Sequence, residues 1–555
     1  MPIFLPMTSP LLLDGIVIVA YFAVVFSVGL WMSRGKKSVE EFALGGRQIA
    51  WWAVLASILA AEISAGTFFG APGEGFALRN YTYIQLIIGY LLARIVVSAV
   101  FIPAYYRHNV VSIYEFLETR FGPRTRRWAS AIFLVTRLLA SGTRLWVPTV
   151  LLVMIWNLSH PDAHATPLRE FWLYGGALVF IIFATALYTT AGGIKAVIWT
   201  DVIQIVVLLS ALGFSLVYLI QHVGGWEGAK PHLLGAQVFD TGLKPGAGFW
   251  ENVKGVLEQE YTLWAAFLGS TFVTLATHGI DQDMVQRMLT AKNKRQSAVA
   301  TILSGVADIP IQFAVLGIGI LLAVYYGQNP DPLLPRSDTG VIISNKAYPH
   351  FILTAMPGGL RGLVLAGVLA TTMGSLSTAL NALATSYTRD FHFRWFGEPA
   401  TEAGRVRGLR VGTIIFAVLF VAVALGTAWV SAINPKLRII PIILGIFGYT
   451  YGSLLGVFLL GLFTHERGND KGNVIAMITG FVFVMYLSGL DKAVAGLAGG
   501  AGLPRPGWMP EIEFPWRVFF GTVATFAVAV CFRTPAAQIE QTRMRNAEPE
   551  RPHES

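Results

Sequence analysis

Long apolar runs with almost no charge constrain this chain more than any other feature. The stretches Ile198 to Ile220 and Val411 to Val430 each reach the roughly 20 residues needed to cross a hydrocarbon core of about 30 Å. Inside lipid every backbone N–H and C=O must find its partner within the protein, and segments of this length do so as helices. Of the 555 residues 54% are hydrophobic and 13% charged, with a mean hydropathy of +0.59. A surface wetted on all sides needs more charge than that, so a soluble fold is excluded. The chain reads as an all-α integral membrane protein.

Hydropathy predicts about thirteen transmembrane helices, over 11–32, 50–76, 81–105, 127–157, 170–189, 194–221, 260–286, 297–326, 358–388, 408–432, 437–463, 470–489 and 514–532. Loop charge then sets an orientation. Of the 41 basic residues, 25 fall in the tail or in loops predicted on one side, among them Arg34, Arg126, Lys292, Arg389 and Arg467. Short cytoplasmic loops carry such an excess. The N-terminus is therefore expected outside and the C-terminus in the cytoplasm of a cell membrane. The net charge of +9 belongs to these loops and calls for no nucleic acid, and no obligate protein partner is evident. Cys531 is the only cysteine, which rules out an intramolecular disulfide or a cysteine metal site. The first apolar segment, Leu11 to Trp31, is too long for a signal-peptide core and is expected to be a retained helix. One membrane domain is expected over 1–533, with a polar tail over 534–555.

Two predicted helices are interrupted. Between Trp51 and Glu74, small residues and Gly66, Gly70, Pro72 and Gly73 weaken the hydrogen-bond ladder. A second interruption lies in Thr274-Leu-Ala-Thr-His-Gly-Ile-Asp-Gln-Asp283. Paired broken helices in two halves of a chain point to a transporter of inverted repeats that binds substrate and ions near the midplane. A glycine-rich membrane helix also serves plain close packing, so the pattern alone leaves both readings open. The segment 366–388 carries Thr371, Thr372, Ser375, Ser377 and Thr378. Hydroxyl and carbonyl oxygens are hard ligands that suit sodium, although Ser and Thr also bond between helices. Asp201 favours the ion, because an acid within a membrane segment is costly and usually functional.

Four segments together resemble the sodium/solute symporter family of sodium-coupled sugar, proline and sialic acid carriers. They are Ser38-Val-Glu-Glu-Phe-Ala-Leu-Gly-Gly-Arg47, Thr190-Ala-Gly-Gly-Ile-Lys-Ala-Val-Ile-Trp-Thr-Asp-Val-Ile-Gln204, Asp281-Gln-Asp-Met-Val-Gln-Arg-Met-Leu-Thr-Ala-Lys292 and Gly362-Leu-Val-Leu-Ala-Gly-Val-Leu-Ala. The resemblance runs from about Ser38 to Phe463. It implies two inverted five-helix repeats with broken first helices, about 50–221 and 260–463, and symport of a small solute with sodium by alternating access. It carries the family's common sodium site onto the carbonyls of Ala60 and Ile63 and onto Thr371, Gly374 and Ser375. Gly374 departs from the pattern, which has a hydroxyl there. A second site, present in some members, maps to Asp201, Ser377 and Thr378. The solute pocket maps to Glu62, Thr67, Gln85, Thr274, Thr277 and His278, with Asp308 or Gln312.

Arg94, Arg137 and Arg144 also lie within predicted membrane helices. Arg137 and Arg144 are seven apart and share a helix face. Arg144 is nearest the midplane, and a guanidinium fork suits a carboxylate, so an anionic solute such as a carboxylate or acidic sugar is expected. In the resembling sialic acid carriers an arginine of this helix does that work, but the matching position here is Ala140. The competing role is structural, a pair with Glu62 or Asp308 or snorkelling of Arg137. His278 reads as a hydrogen-bonded polar group, since no second histidine stands at ligand spacing. The alternatives to a symporter of an anion are a symporter of a neutral sugar or amino acid and a sodium-independent channel. No nucleophile–base pair, metal motif or phosphate loop points to an enzyme.

Overall fold

The computed structural model describes residues 9–34, 38–145, 148, 149, 153, 156, 166–337, 340–433, 439–497, 500 and 502–540. Most of the predicted span 127–157 beyond Leu145, and most of the tail 534–555, lie outside them. Among the described residues there is no β-strand, only isolated bridges such as Ile49 with Ala291.

The elements that matter here are α1 (Ser9–Met32), α2 (Trp51–Glu62), α3 (Ala65–Leu78), α4 (Leu86–Val96), α5 (Pro123–Arg144), α6 (Pro167–His222) and α7 (Thr271–Gly279). They continue with α8 (Gln282–Met288), α9 (Lys294–Gln328), α10 (Leu360–Tyr387), α11 (Glu402–Ile433), α12 (Ile439–Phe463), α13 (Asp470–Leu487) and α14 (Phe514–Val530). Eight helices among the described residues are long and apolar enough to cross a membrane, and the bent pair α2–α3 makes a ninth. The expected thirteen are not reached by this measure, for reasons visible in single elements. The amphipathic α5 is too rich in arginine, α14 has only 17 residues, and the predicted span 260–286 is divided among shorter helices.

The predicted spans 170–189 and 194–221 run together as α6. Its 56 residues extend about 84 Å at 1.5 Å per residue, more than twice the hydrocarbon thickness, so one crossing cannot contain them. Gly193 breaks the run, with φ 61 and ψ −159. A side chain there would meet the Phe42 carbonyl at 2.5 Å, so glycine supplies both the conformation and the room.

Burial ranks the helices from centre to periphery. The span Leu360–Phe396, which contains α10, is 89% buried in its most apolar window, against 17% for Leu12–Met32 in α1. The centre is thus the hydroxyl-rich helix. No residue of its own caps α10, because Gly359 precedes it without a side chain. Asp14 of α1 does so instead: it accepts the N–H groups of Gly359 and Gly362, each at 2.8 Å, and Nε of Arg361 at 2.6 Å. A carboxylate at orphan N–H groups, aided by the helix dipole, is a favourable use of an intramembrane acid. Elsewhere glycines do the packing that their composition allows. A Cβ on Gly319 of α9 would stand 2.0 Å from the Pro72 carbonyl of α3, so backbones touch there.

Candidate functional site

The first break lies between α2 and α3, with Ile63 at φ −81, ψ 85 and Ser64 at φ −81, ψ 166. In an unbroken helix the Ser64 N–H would donate to the Ala60 carbonyl; here it donates to Glu62 at 3.0 Å. The Thr67 N–H, which would serve Ile63, goes to Ser64 Oγ at 3.4 Å. Carbonyls of Ala60 and Ile63 are thereby left outside the ladder, in a buried turn. A buried carbonyl without a donor calls for another electrophile.

The second break falls at Ile280–Asp281, between α7 and α8, within the interruption expected from sequence. Its carbonyls are already used: Tyr105 donates to Gly279 at 2.5 Å and Tyr114 to Ile280 at 3.3 Å. Of these two breaks, the first is therefore the one whose carbonyls are left without a donor among the described residues.

The hydroxyls of α10 donate back into their own helix. Thr371 and Thr372 donate to Val368 at 2.8 Å, Ser375 to Thr372 at 3.1 Å, and Ser377 and Thr378 to Gly374 at 3.0 and 3.1 Å. Each spends its hydrogen this way and keeps lone pairs for a cation. The position a Cβ of Gly374 would take lies 3.4 Å from the Ala60 carbonyl oxygen and 3.5 Å from Asp201 Oδ1. Asp201, fully buried on α6, accepts Ser57 Oγ on Oδ2 at 2.5 Å, while its Oδ1 has no hydrogen-bond partner. The structure thus gathers Ala60, Gly374 and Asp201 at one point where α2, α6 and α10 meet. Ile63 lies three residues beyond Ala60, and Thr371, Ser375, Ser377 and Thr378 flank Gly374 within a turn or so on α10. All the donors are oxygen, the class that fits sodium.

Beside the same break, Glu62 is ion-paired with Arg94 of α4 and lies 2.7 Å from His278 Nε2. The other ring nitrogen of His278 contacts Thr277 Oγ1 at 3.0 Å. Thr277 in turn reaches the Thr274 carbonyl at 3.4 Å, and Thr67 sits against Ser64 at 3.5 Å. Asp308 of α9 is bonded by Gln312 at 3.2 Å. Gln85 is different. Its amide donates to the Thr82 and Tyr261 carbonyls at 3.1 and 3.3 Å and accepts the Asp240 N–H at 3.0 Å. All of that capacity ties loop backbone, and the side chain is buried.

The arginines of α5 divide. Arg137 is paired with Asp281 at 2.9 Å and with Asp283, and Tyr451 of α12 donates to the same Asp281 at 2.5 Å. Its partners are the aspartates of the second break, not Glu62 or Asp308. Arg144 makes no ion pair among the described residues; its guanidinium lies over the Phe447 ring, 4.8 Å from the centroid. From Arg137 the charges continue through Asp283 to Arg287 at 3.5 Å, and from Arg287 to Asp201 at 3.9 Å. Ser57, Asp283, Arg287, Phe447 and Tyr451 were not singled out from sequence. Asp283 and Arg287 stand four apart in the quoted segment from Asp281, a spacing that marks one helix face; the others carry no local signal.

Three comparisons bear on this arrangement. The profile of the sodium:solute symporter family matches residues 42–157 and 167–480. The chain is 28% identical to sodium/glucose cotransporter 1 of Ovis aries, over 96% of this chain and 81% of that protein. It is 27% identical to the sodium/sialic acid symporter NanT of Aliivibrio fischeri, over 86% of this chain and 87% of that protein. Among solved structures, that of a substrate-bound, outward-open sodium-coupled sialic acid symporter superposes with a TM-score of 0.73 at 23% identity, covering 94% of this chain and 96% of the other.

Proposed function

The chain belongs to the sodium:solute symporter family, and on that premise we propose that the solute it carries with sodium is a small organic anion, a carboxylate or acidic sugar, held at Arg144. The observation that carries this reading is the guanidinium of Arg144 over Phe447 without an ion-pair partner among the described residues. An unpaired guanidinium at membrane depth is costly, and a bidentate carboxylate removes that cost. NanT of Aliivibrio fischeri, named for sialic acid, is a relative that handles an acidic sugar.

Sodium supplies one positive charge that attracts oxygens of separate helices. Ala60 and Ile63 are its ligands on the α2–α3 break, Thr371, Gly374 and Ser375 on α10, with Asp201, Ser377 and Thr378 as the second set. Glu62 and Thr67 of the same break face the solute side with Thr274, Thr277, His278 and Asp308. Fixing that short turn from one side favours binding on the other, and linkage makes the effect reciprocal. Movement is by two inverted repeats, about 50–221 and 260–463, rocking around this centre. The face bearing the basic loops is the cytoplasmic one, with the N-terminus outside and the C-terminus inside a cell membrane.

The test is a thermal-shift panel on purified protein, pairing carboxylates, sialic acid among them, with their methyl esters in sodium and in potassium. A carboxylate is expected to stabilise wild type in sodium, its ester not, and Arg144→Gln to lose about tenfold or more in affinity. Unchanged affinity in Arg144→Gln would sink the anion reading.

A further inference from the structure

The cradle at Gly374 contains one oxygen that neither expected sodium site includes. Gln204 lies one turn after Asp201 on α6, 1% exposed, and its Oε1 is only 2.7 Å from where a Cβ of Gly374 would be. The Ala60 carbonyl and Asp201 Oδ1 stand around the same point at 3.4 and 3.5 Å. Three oxygens from two helices thus converge on the space that a side chain at 374 would fill. Neither polar atom of the Gln204 amide, nor Asp201 Oδ1, has a hydrogen-bond partner. The hydroxyls of Tyr21 and Tyr188 approach the amide without meeting hydrogen-bond geometry. Buried oxygens of an amide and a carboxylate that converge with a carbonyl and accept no hydrogen bond mark a place for a cation.

We propose that Gln204 is a sodium ligand, its Oε1 taking the place that a hydroxyl at position 374 would hold. The absence of a side chain at Gly374 then removes no ligand. It makes room for the amide and brings Asp201 Oδ1 onto the ion, so the two sodium sites expected from sequence become one site with a carboxylate. On its other oxygen Asp201 is held by Ser57 at 2.5 Å and faces Arg287 at 3.9 Å, which keeps Oδ1 turned to the cradle. The inference deepens the sodium coupling of the family by naming its ligand set in this chain.

The experiment measures sodium-dependent thermal stabilisation of the full-length protein in detergent, titrating sodium against potassium at constant ionic strength, without solute. Wild type gives the reference sodium affinity. Gln204→Met is expected to weaken it by about 10- to 100-fold, with the sodium-free melting temperature retained. Gly374→Ser restores the family's hydroxyl, yet it is expected to weaken sodium binding as well, because its Cβ would collide with Oε1. The double variant Gln204→Ala with Gly374→Ser is expected to recover affinity, the hydroxyl replacing the amide oxygen. If Gln204→Met alone fails to fold, Gly374→Ser and the double variant still decide. A wild-type sodium response in Gln204→Met, or tighter sodium binding in Gly374→Ser, overturns the proposal and leaves sodium coupling itself intact. A wild type indifferent to sodium would instead count against the coupling.

Discussion

At the scale of single residues, the two arginines of α5 separate structure from function. Arg137 is held by Asp281 and Asp283, and removing one partner of a buried pair costs about 3–5 kcal/mol. Arg137→Gln should therefore lower the unfolding temperature in detergent substantially, with or without solute. Arg144→Gln should leave that temperature near wild type in the absence of solute, since it breaks no ion pair among the described residues. Equal destabilisation by both would remove the distinction on which the anion site rests. Arg144 was legible in sequence because an arginine at membrane depth is rare enough to stand alone as a signal. What held Arg137 was not legible, since Asp281 lies 144 positions away. The same separation hid Ser57 from Asp201. Type and spacing announce a group, but its partner is fixed by how the helices pack.

At the scale of elements, both interruptions expected from sequence are present, but the first lies at Ile63–Ser64, ahead of Gly66, Gly70, Pro72 and Gly73, which stay inside α3; the break at Gly193 fell between two spans that hydropathy had separated. What composition could not say was which break has free carbonyls, because Tyr105 and Tyr114 reach the second from two short helices far away in sequence. A further junction closes the face that carries the basic loops. Asp390, past the end of α10, accepts Nε and Nη2 of Arg126 at 2.8 and 2.6 Å, Ser112 at 2.9 Å and Ser130 at 2.6 Å. Arg126 also meets Glu118 at 2.6 Å, so the turn at 112, the start of α5 and the end of α10 are joined. Both Arg126 nitrogens bond Oδ1 and both serines bond Oδ2; an amide at 390 has one acceptor oxygen and no charge, so Asp390→Asn should loosen this closure. With Cys531→Ser as background, a cysteine at the buried Ser386 is expected to react with an impermeant maleimide in the Asp390→Asn variant, and from the cytoplasmic side. Protection equal to that with Asp390 would argue against a latch, and labelling from outside against the orientation.

At the scale of the whole molecule, α2, α6 and α10 meet at Gly374, where the oxygens of Ala60, Asp201 and Gln204 converge, and a charge ladder runs from Asp201 through Arg287 and Asp283 to Arg137. The fold class was legible because lipid leaves the backbone so few solutions. The number of spans was less so, because α5 carries many arginines along its length and the span expected over 260–286 is divided among shorter helices. The central claim is that sodium and an anionic solute bind together and cross together. Proteoliposomes holding the purified protein test it most directly, with labelled uptake of the carboxylate that stabilises it in the thermal-shift panel. An inward sodium gradient should drive accumulation that disappears when potassium replaces sodium and when Asp201→Asn or Arg144→Gln replaces wild type. Uptake of equal rate and extent in potassium would contradict the account.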